Sequence, residues 1–355
     1  MRKTYVFFLL VAMLLLSGCS GKNAVNEPIE LPETAYIDRL FAVDGQLYSV
    51  RHGSGAAYIN HESAEPSVCY QIPSDDAVWH ESCARLYYSD GYQVYSCDLT
   101  GNEKTLVWTF QNKSKEDRAD IMAAADGRLL VSGAYWWGGQ YPTSDYYSLD
   151  VTTGEAVKLM GNVAVAFQPE LLCIYGNTAF FVQKDGQNYY VLACDLLSGE
   201  SKELGRFDYE AAIRIADGAV LGDRLYFICE RNGIYSVPLS GGEVEYRWPD
   251  TDLTPGMDRV VALDAYNGEL YVLLKDGADY PPAAFCRWEA ETNLLHPILT
   301  TDGTFSAGNA FLHDDKYYLF TGSKLVSGEL RVAEGGQNID IDSQMDGAVI
   351  LQPAT

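Results

Sequence analysis

The chain has 355 residues, with 49 acidic against 25 basic side chains and a formal net charge of −24. This excess of negative charge repels nucleic acid, so the composition excludes a nucleic-acid partner. Apolar residues make up 47% of the chain, which is enough for a packed core and argues against a disordered protein.

The first 18 residues predict an export signal. Arg2 and Lys3 form a basic start, and residues 4–16 form a mostly apolar run. This run is shorter than the about 20 apolar residues that a membrane-spanning helix needs. Small residues then stand directly before Cys19, where a cleavage site is expected.

The end of this signal, Leu16-Ser17-Gly18-Cys19, resembles the lipobox of bacterial lipoproteins. The resemblance implies that Cys19 is acylated and anchors the protein to a bacterial cell membrane, on its extracytoplasmic face. Such an anchor is durable because each buried CH₂ contributes about 0.8 kcal/mol. Residues 19–34 are mostly polar and contain two prolines, so we expect a flexible tether there.

A phrase made of a Gly, Asp or Asn turn and a short aliphatic and aromatic run recurs seven times after residue 34. Its central residues, spaced 45 positions apart on average, are Leu47, Leu86, Leu129, Ala179, Leu225, Leu270 and Tyr317. A second strand-and-turn phrase follows several of them, which gives four short strands per repeat. Four antiparallel strands in about 45 residues are typical of one propeller blade.

The sequence therefore predicts an all-β protein, a seven-bladed β-propeller with four antiparallel strands per blade. Residues 35–355 are expected to form this single domain. Six blades would leave one repeat unexplained, and eight would need about 360 residues, so both counts are weaker alternatives. We expect the N- and C-terminal strands to pair and close the ring, because closure removes exposed sheet edges.

Two of the strand-and-turn phrases, residues 147–155 and 192–200, share the spacing Asp-x-x-(Ser/Thr)-Gly-Glu. They resemble the repeats of bacterial β-propeller lipoproteins of the TolB-like or quinoprotein-like kind. Quinoprotein repeats usually end in Trp, whereas Leu159 and Leu204 stand near that place here. We expect no quinone and no other cofactor.

The cysteines other than Cys19 number seven, so they do not all form disulfides. Three of them, Cys97, Cys194 and Cys286, occupy a strand position that Leu or Val fills in other repeats. This pattern indicates an apolar core position. The chain contains no Cys-x-x-Cys pair that would indicate a zinc or redox site.

The segment 134–142 predicts a long loop between the second and third strands of blade three. Successive side chains of a strand point in opposite directions, so its two adjacent tryptophans do not both face the core. Exposed aromatic rings suit sugars or protein interfaces, although packing under the loop is the alternative. The candidate ligand-binding residues are Tyr135, Trp136, Trp137, Tyr141 and, from the equivalent loop of blade six, Tyr280.

No metal site and no catalytic residue is predicted. Asn338, Asp340 and Asp342 alternate, but the surrounding segment lacks the glycine and glutamate of an EF-hand. The five histidines are scattered, and the chain has neither a nucleophile elbow nor a phosphate-binding loop. A carboxylate pair for glycoside hydrolysis stays open, because only geometry selects such a pair.

These features favour a lipid-anchored, extracytoplasmic propeller that binds an envelope protein or a glycan without performing chemistry. One alternative is a polysaccharide-active enzyme, a lyase or glycosidase, on the propeller scaffold. Paired carboxylates or convergent His, Tyr and Arg side chains around the axis would favour that enzyme. Another alternative is a structural subunit of a membrane complex, which a broad apolar patch would indicate.

Overall fold

The computed structural model describes residues 26–32, 34–53, 56–62, 68–72, 74, 77–110, 114, 116–137, 139–185, 188–208, 216–229, 233–248, 259–275, 283–300, 308–330 and 349–351. Within them the chain forms seven four-stranded antiparallel sheets, arranged as a β-propeller. The predicted all-β fold and the count of seven blades are confirmed. Helical structure in these ranges is limited to two short 3₁₀ turns, Glu81–Cys83 and Val165–Phe167. Neither turn is long and apolar enough to span a bilayer.

Each blade takes its four strands in chain order. Blades one to three consist of β1 (Tyr36–Val43), β2 (Gln46–Gly53), β3 (Ala56–His61) and β4 (Val68–Ile72); β5 (Ala77–His80), β6 (Arg85–Asp90), β7 (Gln93–Cys97) and β8 (Thr105–Thr109); and β9 (Arg118–Ala125), β10 (Arg128–Trp137), β11 (Gln140–Asp150) and β12 (Ala156–Ala164).

Blades four to seven follow the same plan. They consist of β13 (Glu170–Tyr175), β14 (Thr178–Asp185), β15 (Asn188–Asp195) and β16 (Ser201–Asp208); β17 (Ala216–Leu221), β18 (Arg224–Cys229), β19 (Ile234–Pro238) and β20 (Glu245–Arg247); β21 (Arg259–Tyr266), β22 (Glu269–Lys275), β23 (Ala283–Glu289) and β24 (Leu294–Thr300); and β25 (Asn309–His313), β26 (Lys316–Thr321), β27 (Lys324–Glu329) and β28 (Val349–Leu351).

The antiparallel order gives the propeller two different faces. The turns after the first and third strands of a blade lie at one end of its sheet, which we call the turn face. The connection after the second strand lies at the other end, the hairpin face. On the turn face, both residues of the turns 44–45, 126–127 and 267–268 have positive φ. Such turns match the right-handed twist of the strands that they join.

The core lies between neighbouring blades, because side chains alternate along each strand. On β22, for example, Leu270, Val272 and Leu274 pack toward blade five, whereas Tyr271 and Leu273 pack toward blade seven. All seven central residues of the repeated phrase lie on second strands and are buried, with at most 7% exposure. The three cysteines of the shared strand position are fully buried too, as expected for core residues.

The ring closes differently from our expectation that the terminal strands pair. Blade one has its own first strand and blade seven its own fourth strand, so within the described ranges no sheet combines strands from the two ends of the chain. Blades seven and one meet through an apolar cluster of Ile37, Leu40, Leu47, Phe320 and Leu325. The backbone N–H of Ile37 also donates a hydrogen bond to the carbonyl of Gly322 (2.7 Å). Side-chain packing therefore replaces strand sharing at this seam.

Residues 26–32, which we call the arm, lie against the propeller. They belong to the segment 19–34 that the sequence predicts to be a flexible tether. Ile29 forms an antiparallel bridge with Cys69 of β4, its N–H donating to the Cys69 carbonyl at 2.8 Å. The arm thus covers part of the outer edge of blade one, as edge strands require. Cys19, the predicted lipidation site, lies with the rest of residues 1–25 outside the described part of the chain.

Candidate functional site

The segment 134–142 is not the long loop that its composition predicts. It belongs to two long strands, β10 and β11, whose pairing continues to Trp137 and Gln140. Only two glycine positions, 138 and 139, separate them. Tyrosine, tryptophan and threonine favour strands, and a Gly-Gly pair suits a two-residue hairpin, which explains the difference. The candidate residues therefore lie on a projecting hairpin at the hairpin face.

A buried carboxylate fixes the base of this hairpin. Asp145 is 1% exposed, and its Oδ2 accepts hydrogen bonds from the Tyr135 hydroxyl (2.8 Å), the Tyr147 hydroxyl (3.0 Å) and Lys158 Nζ (2.6 Å). Its Oδ1 accepts the backbone N–H of Asn162 at 2.7 Å. Burial alone would raise the pKa of Asp145, but Lys158 and the other donors outweigh it and hold this pKa below its usual value. Tyr135 is thus a structural partner of Asp145.

The tip of the hairpin is held by its neighbours. The backbone N–H of Trp136 donates to Asp117 Oδ1 at 2.7 Å, and the Tyr141 hydroxyl donates to the Glu116 carbonyl at 2.8 Å. The rings of Trp136 and Tyr141 meet edge to face, with centroids 4.9 Å apart. Trp137 points the other way and is 72% exposed. The expectation that at least one of the two tryptophans is exposed is met by Trp137.

The structure therefore divides the candidate residues. Tyr135, Trp136 and Tyr141 are partly buried and fix the hairpin, while Trp137 presents its ring to solvent. Tyr280 lies outside the described residues, as does the acidic segment around Asp340. In the ranges that the structure describes, no group of three or more His, Cys, Asp and Glu side chains could hold a metal ion.

A pair of carboxylates that was not predicted from the sequence lies between the inner strands of blades five and six. Asp217 of β17 and Asp264 of β21 line a cavity of about 310 Å³. Asp217 Oδ1 accepts the N–H of Gly218, and its Oδ2 accepts the N–H of Leu263, both at 2.9 Å. The second bond joins two blades. Asp264 Oδ1 accepts the N–H of Ala265 at 2.7 Å.

Burial raises the pKa of both carboxyl groups. Burial, together with the charge of Asp264, raises the pKa of Asp217 to about 7, although the two N–H donors act against it. Burial raises the pKa of Asp264 to about 6. In the sequence Asp217 stands in Ala-Asp-Gly, which is typical of a turn. Nothing in that local pattern indicates a contact with Leu263, 46 residues later.

A larger cleft of about 590 Å³ lies between blades five and six on the turn face. Arg224, Arg247 and Arg287 line it, and all three guanidinium groups are engaged by this chain. Arg224 and Arg247 share Glu245 at 3.1 and 3.5 Å, and Arg287 contacts Glu269 at 2.5 Å. Five acidic residues line the cleft beside the three arginines, so its net charge is negative and it does not offer a ready site for an anion.

Comparison with known proteins establishes the fold and no family. The sequence matches no protein-family model, and no curated protein matches it. The propeller is shared with the tricorn protease. That alignment has a TM-score of 0.53 and 9% identity, covering 92% of this chain and 36% of the protease chain.

Two further solved structures are similar at a lower TM-score of 0.49. BamB from Moraxella catarrhalis is 11% identical, and the alignment covers 88% of this chain and 90% of that chain. A prolyl endopeptidase is 13% identical, with 84% of this chain and 46% of that chain covered. At such identities the likeness concerns the fold alone.

Proposed function

We propose that this protein is a lipid-anchored, extracytoplasmic propeller that binds another envelope protein through the blade-three hairpin, without catalysis. The observation that carries the proposal is Trp137, a large aromatic side chain that is 72% exposed at the tip of a well-fixed hairpin. Exposed tryptophan is unfavourable in water and is common among the residues that dominate binding energy at interfaces.

The bonding of the hairpin supports a binding role. The Trp136 N–H and the Tyr141 hydroxyl are both satisfied by the segment before β9, so the tip is ordered before any partner arrives. A preordered contact loses less conformational entropy on binding, which increases affinity. Trp137 thus has the rigid support that an anchoring side chain needs.

The charged side chains beside the blade-three hairpin favour a protein partner over a glycan. Arg118 and Asp120 lie beside the hairpin, with Arg118 Nη2 3.3 Å from Asp120 Oδ1. The Arg118 guanidinium also lies 5.9 Å from the centre of the Tyr141 ring. Aromatic side chains together with arginine are enriched at protein interfaces, which have an apolar centre and a polar rim. A glycan remains the alternative that the experiment distinguishes.

The lipid anchor and the envelope location rest on residues 1–19, whose basic start, apolar run and Leu-Ser-Gly-Cys ending support them. Acylation of Cys19 would keep the propeller outside the cytoplasm, where partners in the cell envelope are within reach. Loss of membrane association in the variant Cys19→Ala tests this part of the proposal.

Crosslinking and capture from intact cells, run beside a glycan array, test the binding role. Trp137→Ala should reduce capture of the partner at least about tenfold, as expected for an interface hot spot. The matched control is Tyr175→Ala, which removes another exposed aromatic ring, 57% exposed, from blade four. Equal capture by both variants would contradict the proposal. Binding to the glycan array that depends on Trp137 would show that the ligand is a glycan and not a protein.

A glycosidase is the second candidate function, because Asp217 and Asp264 line one cavity and such enzymes use two carboxyl groups. A raised pKa suits a general acid. However, both oxygens of Asp217 already accept backbone N–H groups, so this carboxylate is committed to joining two blades. Hydrolysis of a polysaccharide panel that is abolished in Asp264→Asn but retained in Asp223→Asn would establish the enzyme instead.

A further inference from the structure

We propose that the arm holds the outer rim of blades one and two next to the lipid bilayer, so that the propeller is oriented on the membrane. This inference deepens the proposed function and rests on the lipid anchor at Cys19. It starts from Asn26, the first described residue, which is bound in a notch between two blades. One wall of the notch is β4 of blade one, and the other is the turn 98–103 of blade two.

Asn26 is engaged by both walls. Its backbone N–H donates to Asn102 Oδ1 at 2.7 Å, and its Nδ2 donates to the carbonyls of Gln71 (2.8 Å) and Thr100 (2.7 Å). Asn102 Nδ2 in turn donates to the Asn26 carbonyl at 3.5 Å. A Cβ at Gly101 would lie 2.6 Å from Asn26 Nδ2, so the close approach requires a glycine there.

The far wall of the notch is itself rigid. Asp98 Oδ1 accepts the N–H groups of Thr100 and Asn102, each at 2.9 Å, and the Thr100 hydroxyl at 2.7 Å. Three residues later in the arm, Ile29 pairs with Cys69, so the arm is fixed at two points. These contacts hold the arm against the propeller, so residues 26–32 are not a free linker.

The length of chain before Asn26 then limits the distance to the membrane. Seven residue steps separate Cys19 from Asn26, and a fully extended chain spans at most about 3.6 Å per step, or about 25 Å. A free tether that continued to Ala35 would reach more than twice as far. With the arm bound to blades one and two, the notch stays close to the lipid. The opposite rim of the propeller, around blade five, stays farther from the lipid.

Two equivalent exposed positions measure this orientation. Glu103 follows the third strand of blade two, and Glu243 stands at the same place in blade five, six residues after its last core position. The acylated full-length protein would carry a fluorophore at Glu103→Cys or Glu243→Cys, with Cys83 and Cys173 replaced by alanine. It is reconstituted in phosphatidylethanolamine and phosphatidylglycerol vesicles containing a headgroup-labelled acceptor lipid.

Energy transfer to the labelled lipid should be at least about twofold more efficient from position 103 than from position 243. The bound arm limits the reach of the chain and so keeps position 103 nearer to the bilayer. Asn26→Ala combined with Ile29→Pro, which removes the N–H that bonds to the Cys69 carbonyl, releases the arm at both fixed points and should remove most of this difference. Acylated, vesicle-bound protein with equal transfer from both positions would overturn the orientation alone. Protein that lacks an acyl group on Cys19 and stays off the vesicles would overturn the anchor as well.

Discussion

Asp217 Oδ2 accepts the backbone N–H of Leu263 at 2.9 Å and thereby joins the inner strands of blades five and six. The pKa of this carboxyl is about 7, against an ordinary value of 3.8, mainly because of burial. The folded protein therefore holds the proton more tightly than the unfolded chain. The stabilisation from this group is complete below about pH 4 and is lost as the pH rises through about 7.

Asp217→Asn removes this titration. At low pH the variant should be less stable than the wild type by about 1 kcal/mol, because an amide satisfies only one of the two N–H donors. Between pH 4 and 7.5 the difference in free energy of unfolding between the wild type and the variant should narrow or reverse, because the wild type loses the stabilisation from Asp217. Urea unfolding across this range checks the prediction, with exposed Asp223→Asn as the control. A constant gap at every pH would show that Asp217 does not titrate in this interval.

The two adjacent tryptophans should differ in stability effects. Trp137→Ala should change the free energy of unfolding by less than about 0.5 kcal/mol, as is usual for exposed residues. Trp136→Ala should cost about 1–2 kcal/mol, because it removes the edge-to-face contact with Tyr141. Thermal unfolding of both variants provides the measurement. Equal and large losses would mean that Trp137 packs in solution and is not available to a partner.

A buried ion pair in blade one should be much more sensitive than an exposed one. The side chains of Arg51 and Glu62 are 1% and 4% exposed, with Nε and Nη2 of Arg51 donating to the two oxygens of Glu62 at 2.9 and 2.8 Å. Glu62→Gln leaves the Arg51 charge buried and uncompensated, which should cost about 3–5 kcal/mol.

The control for this prediction is Glu103→Gln. Glu103 pairs with Arg85 at 3.2 Å, but its side chain is 71% exposed. An exposed pair contributes at most about 1 kcal/mol, so this variant should unfold close to the wild type. The prediction is checked by comparing the denaturation midpoints of Glu62→Gln and Glu103→Gln. Similar midpoints would indicate that water reaches the Arg51 guanidinium.

Gly133 of β10 is required by its neighbour in blade two and not by its backbone angles. An added Cβ would overlap the ring of Phe110, which is fully buried. Gly133→Ala should therefore cost about 1–3 kcal/mol through overpacking. In a Phe110→Leu background the same change should cost clearly less, because the smaller side chain leaves room. A double-mutant cycle measures this coupling, and additive losses would rule out the overlap.

The blades were predictable because the repeated sequence phrases contain the residues of a contact that recurs within several blades. In three blades the arginine that starts the second strand donates to a serine hydroxyl on the third strand. The pairs are Arg85–Ser96 (3.2 Å), Arg128–Ser148 (2.6 Å) and Arg224–Ser236 (3.0 Å). Blade six places Glu269 and Arg287 at these two positions and forms an ion pair instead. Local sequence thus encodes the contacts within a blade.

Contacts between blades were not predictable in the same way. Asp217 and Leu263 come together only because the ring places their strands side by side, and no repeated pattern connects them. The blade-three hairpin shows a related difficulty. Its aromatic composition allowed either a loop or long strands, and the pairing of β10 with β11 decided between them. The exposure of one tryptophan followed from alternation alone and was predictable.

The seam between blades seven and one has a consequence for how the protein is made. Each of the seven sheets that the structure describes takes its four strands from one continuous stretch of chain, so none of the seven depends on a distant strand. During synthesis, each sheet can pair its strands soon after its own segment leaves the ribosome, and long-range loop closure is confined to the last step. That step joins Ile37 to Gly322, so the final docking of two finished blades is where a stalled or truncated product would remain open.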